Sequence, residues 1–401
     1  MLSRSRSIFL LLSILTLSPI VGSTLLAATS GDDKDEGEDS FYKYLSVFTE
    51  VLSLVDRAYV DETEMEKLMI GAFEGAADAL DPFSLYVPAT AVESYEASRA
   101  IGSRHSGLLV LKERGVAYAA SIEESSPAAE AGVERGDIIA MIDGEETREM
   151  PLFQIHTQLA GPAGTVVKLE TIRMGVKNEL ELTLQDYSPP GVELRVEDGI
   201  AVMRLPSFHA ETAANVGASL TALQAGEGLD GLSANDKLII DLRGVAGGEE
   251  SVAYQVASLF VDGELGVLTN RGEVVETFTA QDTPRFSGEA VLLVDRGTQG
   301  PAEVLAKVLQ DRLETPLVGM PTFGHSGRLS LLRLSNGGRL QLTDSFYTGP
   351  DREPIVDSLE PDFIVPPLPP ADDEVEPDAV LEKGLAVVRG EAEPAEEKQA
   401  A

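Results

Sequence analysis

Ala290-Val-Leu-Leu-Val-Asp295, then Arg296-Gly-Thr-Gln-Gly300, then Pro301-Ala-Glu-Val-Leu-Ala-Lys-Val-Leu-Gln310: this stretch decides the fold of the chain. The first part is a continuous apolar run, the pattern of a strand buried on both faces. The second is a tight turn. The third is amphipathic, with Val304, Leu305, Val308 and Leu309 on one helical stripe. Pro301 suits a first helical position, which puts Gly300 at the N-cap. A second strand, Thr315-Pro-Leu-Val-Gly-Met320, and a glycine turn, Thr322-Phe-Gly-His-Ser-Gly327, follow. Strand, turn, helix, strand and turn form a crossover unit of an α/β sheet, and such sheets place chemistry in the turns after their strands.

Working outward, Gly199-Ile-Ala-Val-Met-Arg-Leu-Pro-Ser-Phe208 reads as a strand running into a turn, with a helix over Thr212 to Leu223. Lys237-Leu-Ile-Ile-Asp-Leu-Arg243 reads as another buried strand, leading through Gly244-Val-Ala-Gly-Gly248 to a helix over Ser251 to Val261. The glycine-rich insert around Gly226 to Asn235 reads as a loop. Beyond His325, Leu329 to Leu334 and Arg339 to Thr343 flank Ser335-Asn-Gly-Gly338, a hairpin signal. Nearer the start, Tyr44, Leu45, Phe48, Val51, Leu52 and Val55 recur at helical spacing, as do Leu68, Met69, Ala72, Phe73 and Ala76 within Met65 to Leu80. Between about Ser103 and Leu184 the pattern turns to short strands, with a hydrophobic helix around Leu152 to Leu159 and a strand over Thr165 to Ile172.

The central unit resembles the core of the C-terminal (tail-specific) processing serine peptidases, a PDZ-containing family with a Ser-Lys dyad. Gly297-Thr-Gln-Gly-Pro-Ala-Glu303 lies on the family's nucleophile turn and puts Gly300 at the serine. Thr322-Phe-Gly-His-Ser326 lies on its Thr-Phe-Gly-Lys-Gly turn and puts His325 at the lysine. Leu329 stands at the glutamine four residues further on. Glu303 and Thr322-Phe-Gly324 hold this register independently. Asp241-Leu-Arg-Gly-Val-Ala-Gly-Gly248 is similar to the family's oxyanion motif; Val245-Ala246 replaces Asn-Pro, while Gly247 and Gly248 remain. Leu80-Asp-Pro-Phe-Ser-Leu-Tyr86 resembles the signature of the N-terminal helical region, with Phe83 for the usual His. Phe346 to Arg352 and Leu359 to Pro366 match the closing motifs. Ser126-Pro-Ala-Ala-Glu-Ala-Gly-Val-Glu-Arg-Gly-Asp-Ile-Ile139 with Ile142-Asp-Gly144 is a PDZ signature. The resemblance then implies that Gly107, Leu108, Leu109 and Val110 form the carboxylate loop and groove strand that take a peptide C-terminus. Ala160 stands where many members carry an arginine.

Acyl transfer by this route needs a hydroxyl at the strand-to-helix turn, a base within hydrogen-bond reach and oxyanion donors. Glycine supplies no nucleophile, and His325 is not the buried amine that the lysine route uses. A substitute pair of Thr298 or Ser326 with His325 is the alternative: Thr298 lies two residues off position, and Ser326 adjoins its only candidate base.

Met1-Leu-Ser-Arg-Ser-Arg6 is a basic n-region and Ile8 to Val21 an apolar h-region, so the start reads as a signal peptide ending at Ser23, Ala27 or Ala28, or as an uncleaved anchor. The chain has 401 residues, no cysteine and a formal net charge of -36. Disulfide and thiolate chemistry are thereby excluded, and the charge repels nucleic acid and anionic lipid. Acidic runs concentrate at Asp32 to Glu36 and Asp372 to Glu397 and read as solvated tails. His105, His156, His209 and His325 are scattered, without metal-ligand spacing, and no phosphate loop occurs; no cofactor or metal is expected.

The expected architecture is α+β and multidomain, with an α/β core of the ClpP/crotonase type. It comprises a signal or anchor at 1–28, an acidic linker at 29–40, a helical region at 41–100, a PDZ domain at 101–185, a peptidase-like core at 186–368, and an acidic tail at 369–401 with a final helix over Asp378 to Val388. Two functions compete. One is an inactive family member, periplasmic or anchored facing the periplasm, that binds C-termini of exported proteins as adaptor or regulator, alone, as a homo-oligomer or beside an active paralogue. The other is a serine-type endopeptidase with a displaced nucleophile.

Overall fold

A computed structural model describes residues 35–225, 237–281, 286–366 and 378–392. The segment read as a signal or anchor, the insert around Gly226 to Asn235 and most of the acidic tail lie outside these described residues. The chain divides into two compact units, 1–72 and 73–401. The described part of the first is helix α1 (Asp35–Ala58) and the start of α2 (Met65–Asp78). Helix α1 begins within the stretch read as an acidic linker. Phe48, Leu52 and Val55 are half-buried along it, whereas Tyr44, Leu45 and Val51 face solvent.

The second unit carries the rest of α2, then β1 (Leu85–Val87), α3 (Val92–Ile101), β2 (Leu108–Glu113), β3 (Val116–Ile122), α4 (Pro127–Glu130), β4 (Ile138–Ile142), β5 (Glu145–Glu146), α5 (Leu152–Leu159), β6 (Val166–Arg173) and β7 (Val176–Thr183). These are followed by β8 (Glu193–Glu197), β9 (Ile200–Arg204), α6 (Thr212–Ala225), β10 (Lys237–Asp241), α7 (Glu250–Ala257), β11 (Glu264–Asn270), β12 (Glu273–Thr279) and β13 (Glu289–Val294). The chain continues through α8 (Pro301–Leu313), β14 (Leu317–Gly319), β15 (Gly327–Arg333), β16 (Arg339–Tyr347), β17 (Phe363–Ile364) and α9 (Ala379–Arg389).

The central sheet runs β17-β14-β13-β10-β9-β8. All its neighbours are parallel except β8 on β9. Both faces are covered, which is why its strands read as unbroken apolar runs. Leu238, Ile240, Leu292 and Val294 pack with α6, α7 and α8 on one side, where Ala302, Val304, Leu305, Ala306, Val308 and Leu309 are fully buried. Ile239, Val291, Leu293 and Val318 face the other side, under Leu385 and Val388 of α9. Asp378 caps α9 by accepting from the Leu381 N–H (3.0 Å), and its carboxylate also takes the Arg243 guanidinium (2.7 and 2.8 Å). That tie fixes the final helix to the turn after β10.

The PDZ sheet is β2-β3-β4-β6-β7, with β5 on β4, all antiparallel. Its core gathers Val110, Ile139, Ile142, Ile155, Leu169 and Leu182. A third sheet, β1-β16-β11-β12 with β15 on β16, is also antiparallel. Two of its features went unread in the sequence. Strand β1 lies within the region expected to be helical, because Leu85, Tyr86 and Val87 pair with Gln341, Leu340 and Arg339 about 250 residues on. The β11–β12 hairpin was not anticipated at all, although Arg271-Gly272 is a two-residue turn with both φ angles positive.

Candidate functional site

The two turns singled out by the sequence are stitched together by one side chain. Glu303, the third residue of α8, is fully buried. Its Oε2 accepts from the Gly300 N–H (3.1 Å) and the His325 N–H (3.0 Å), and its Oε1 from the Gly324 N–H (2.6 Å) and the Thr322 hydroxyl. The serine and lysine positions of the resemblance therefore share a single carboxylate oxygen. Burial nonetheless pushes the Glu303 pKa above the usual carboxylate value, outweighing the four donors that favour its charge. The spacing from N-cap to N3 was the available signal, being half of a capping box.

Gly300 has φ +55° and ψ −114°, a left-handed conformation that strains any residue with a Cβ. It sits at the sharp junction of strand and helix where hydrolase nucleophiles are displayed. A Cβ there would meet only the Glu250 Oε1, at 3.5 Å. The backbone elbow is present without a hydroxyl on it. Glu250, the first residue of α7, has its pKa pushed up to about 7 by burial, with Glu249 adding repulsion. It was not among the residues marked from sequence; the Glu249-Glu250 pair directly after two glycines was the available sign.

His325 is held as an aromatic. Its ring stacks on Phe83 (centroids 4.1 Å apart, 15° between planes) and meets Phe346 edge-on (5.7 Å). Burial lowers its pKa below the ordinary histidine value, with Asp81 pulling weakly the other way. Its Nε2 is buried without a hydrogen-bond partner. Two departures from the family pattern, at 83 and 325, are thus a single contact. Leu329 joins them: it packs with Phe83, Phe323, Leu109, Leu111 and Ala120. Phe83, His325 and Leu329, which stand where the resemblance expects His, Lys and Gln, thus lie together against the PDZ strands β2 and β3.

The two alternative hydroxyls are committed elsewhere. Thr298 is fully buried; its Oγ1 donates to the Leu242 carbonyl (2.9 Å) and accepts from the Asp295 N–H (3.0 Å). Ser326 is also fully buried, donating to the Tyr347 carbonyl (3.0 Å). Neither points a free hydroxyl at His325.

Around the oxyanion-like glycines, the Phe208 N–H bonds the Gly247 carbonyl (3.0 Å), and a Cβ on Gly248 would run into the Phe208 backbone. Glu123, from the loop after β3, brings Oε1 to 3.4 Å of a Cβ built on Gly247. It is held there by the Ser103 hydroxyl (2.8 Å) and the Tyr187 hydroxyl (2.6 Å). Burial first, and Glu123 second, raise the Tyr187 pKa. Carboxyl groups at 123 and 250 thus lie beside Gly247 and Gly300, the oxyanion-like and serine positions of the resemblance. Arg135 of the PDZ domain reaches Asp295 (2.9 Å), whose Oδ1 accepts from Gly244 and Gly297 (2.8 and 2.9 Å).

The expected groove residues take three different places. The Gly107 N–H is spent on the Ser103 carbonyl (2.6 Å) and the Leu108 N–H on the Ser106 hydroxyl (3.3 Å). Leu108 and Val110 point into the PDZ core, and Leu109 into the apolar cluster under Leu329. Of the other histidines, His105 contacts the Gly161 carbonyl and Asp186, and His156 the Val110 carbonyl.

Residues 199–365 match the family model for peptidase family S41, and residues 118–173 that for a PDZ domain. Over 347 residues the chain is 29% identical to a carboxy-terminal-processing protease of Bartonella bacilliformis, covering 83% of this chain and 77% of that one. It is 26% identical over 349 residues to the carboxy-terminal processing protease CtpA of Bacillus subtilis, covering 85% and 73%. Among solved structures, a photosystem II D1 C-terminal processing protease superposes with a TM-score of 0.62 at 24% identity, over 80% of this chain and 92% of that one. That likeness establishes the fold alone. With both domain types in order and the strand–turn–helix unit intact around Gly300, the chain belongs to the PDZ-containing carboxy-terminal-processing peptidases of family S41.

Proposed function

We propose that this chain is an exported, non-catalytic member of its family that binds the C-termini of exported proteins and acts as an adaptor or regulator. The observation that carries the reading is Gly300: the strained elbow is kept, but no hydroxyl stands on it. The burial of the Thr298 and Ser326 hydroxyls on backbone carbonyls speaks against a displaced nucleophile. Replacement of the dyad surroundings by Phe83, His325 and Leu329, which pack as one cluster, supports a site remodelled rather than merely interrupted. Backbone amides suffice to hold a peptide carboxylate, so loss of the nucleophile leaves C-terminus binding open to the PDZ domain.

The test is proteolysis by the purified chain of unfolded substrates with apolar C-termini, beside Thr298→Ala and Ser326→Ala variants. Expected is no cleavage above background for any of the three. Cleavage by the parent protein that one of these substitutions abolishes would overturn the proposal in favour of an active peptidase.

A further inference from the structure

Strand β2 is the open edge of the PDZ sheet. The two-residue turn Arg114-Gly115 closes the β2–β3 hairpin, so its hydrogen-bonded pairs fall at Glu113↔Val116 and Leu111↔Tyr118. The backbone N–H and C=O of Val110 therefore face away from β3, toward helix α5. Ala119, opposite Val110, has the matching parity. Its own N–H goes to the Asp137 carbonyl (2.9 Å), and its carbonyl accepts from Gly136 (2.8 Å). The Val110 carbonyl is the group to which a strand added at this edge would donate. It is already taken: His156 Nε2, from α5, lies 2.8 Å away. A carbonyl only accepts, so Nε2 carries the proton.

We infer that His156 is a latch across the peptide groove, occupying the Val110 carbonyl that the backbone N–H of an incoming C-terminal peptide must use. Peptide enters only when the imidazole swings out. This rests on the reading of the PDZ domain as a binder of C-termini. The rest of the groove is closed consistently. Lys112 Nζ donates to the Arg148 and Met150 carbonyls (3.0 and 2.7 Å), pinning the segment ahead of α5 onto β2. At the other end the Gly107 and Leu108 amides are satisfied within their own loop.

The latch has a pH sense. Burial holds the His156 pKa below the ordinary value, and the Val110 hydrogen bond only partly offsets it. The elements packed around α5 carry Glu93, Glu96 and Arg99 on α3, Lys112 and Glu113 on β2, and Arg104 and His105 in the turn between. None of these charges is among the causes of the shift. The latched imidazole is neutral; released into water it titrates near 6.5. Protons therefore favour the open groove, and affinity for peptide rises as pH falls through 6.5, by up to about tenfold between pH 7.5 and 5.5.

The experiment is fluorescence anisotropy of dye-labelled peptides ending in small apolar residues, with no ionisable side chain, as free acids and as amides. The full chain, His156→Ala and His156→Gln are titrated at pH 7.5 and 5.5. The parent should bind the free acid up to about tenfold more tightly at pH 5.5. His156→Ala should bind more than tenfold more tightly than the parent at pH 7.5 and show no pH dependence. His156→Gln keeps a donor for Val110 without a titrating group, so it should bind weakly at both pH values. Equal binding by the parent and His156→Ala at pH 7.5, or a pH profile that survives in His156→Gln, would overturn the latch while leaving C-terminus binding in place. The glutamine variant decides by itself should His156→Ala not fold. Failure of every form to prefer free acid over amide at either pH would overturn C-terminus binding, and the latch with it.

Discussion

At the scale of single residues, Gly300 and Glu250 show what the elbow has become. A nucleophile there must bear φ near +55° with a Cβ attached, which costs about 1–3 kcal/mol; glycine is free of that cost. Gly300→Ala should therefore lower stability to chemical denaturation by about 1–2 kcal/mol, through backbone strain rather than collision, because the nearest atom to the new Cβ is 3.5 Å away. A variant as stable as the parent would show that the turn relaxes on its own. Glu250 makes the converse point. Its pKa is raised from 4.5 to about 7 in the fold, so its stabilising contribution is complete below pH 4.5 and lost as pH rises through 7. Glu250→Gln should match the parent at pH 5 and exceed it by about 1–2 kcal/mol at pH 8, a figure discounted for the partial exposure of the side chain. A difference that does not change between pH 5 and pH 8 would contradict the burial of this carboxyl.

At the scale of elements, the junction of the 80–86 turn, β15 and the PDZ hairpin depends on Phe83. It is buried, stacks on His325 and meets Phe323 edge-on at 5.9 Å. Phe83→Ala opens a cavity between Leu111, Ala120 and Leu329, and should cost about 3–4 kcal/mol. It should also admit water to the imidazole, so that the His325 pKa rises toward the ordinary histidine value. Ring-proton NMR titration, with His325→Gln to assign the signal, reads this directly. An unmoved titration would mean that Phe346 and the turn backbone, rather than Phe83, keep His325 dry. The same junction explains why restoring one side chain alone has little meaning here: the positions at 83, 325 and 329 are packed against one another.

At the scale of the whole molecule, the question is whether side chains are all that separates this fold from a working peptidase. Gly300→Ser, His325→Lys and Leu329→Gln together restore the three side-chain types in register. Robust proteolysis is not the expected outcome. With His325→Lys, the aliphatic stem would take the place of the ring stacked on Phe83. With Leu329→Gln, a half-buried amide would replace an apolar side chain packed against Phe83, Leu111 and Ala120. The Glu123 and Glu250 carboxyls still lie beside Gly247 and Gly300, and Val245-Ala246 still stands in the turn after β10. Loss of one oxyanion donor alone costs ~10²–10³ in rate. Turnover of unfolded substrates by the triple variant at more than a trace level would show that Val245-Ala246 and the neighbouring carboxyls are tolerated. A triple variant that fails to fold, by circular dichroism, would assign Gly300 and its neighbours a structural role.

Much of this protein was legible in its residues because the signals are local. A buried parallel strand must be apolar on both faces, so Ala290 to Val294 and Leu238 to Ile240 announce themselves. Pro301 after Gly300, with Glu303 three residues later, marks a helix start within a residue. The absence of a hydroxyl at 300, an amine at 325 and an amide at 329 could be read directly, since a missing functional group needs no coordinates. What only the tertiary structure decided involves partners distant in the chain. Pairing Leu85 with Gln341, stacking Phe83 on His325 and aiming Glu123 at Gly247 each join segments 120 or more residues apart. No periodicity records such contacts. The groove residues Leu108 to Val110 show the limit most clearly. Their identity marks a PDZ edge strand, but whether the Val110 carbonyl is open or already bonded depends on where His156 of a different element points.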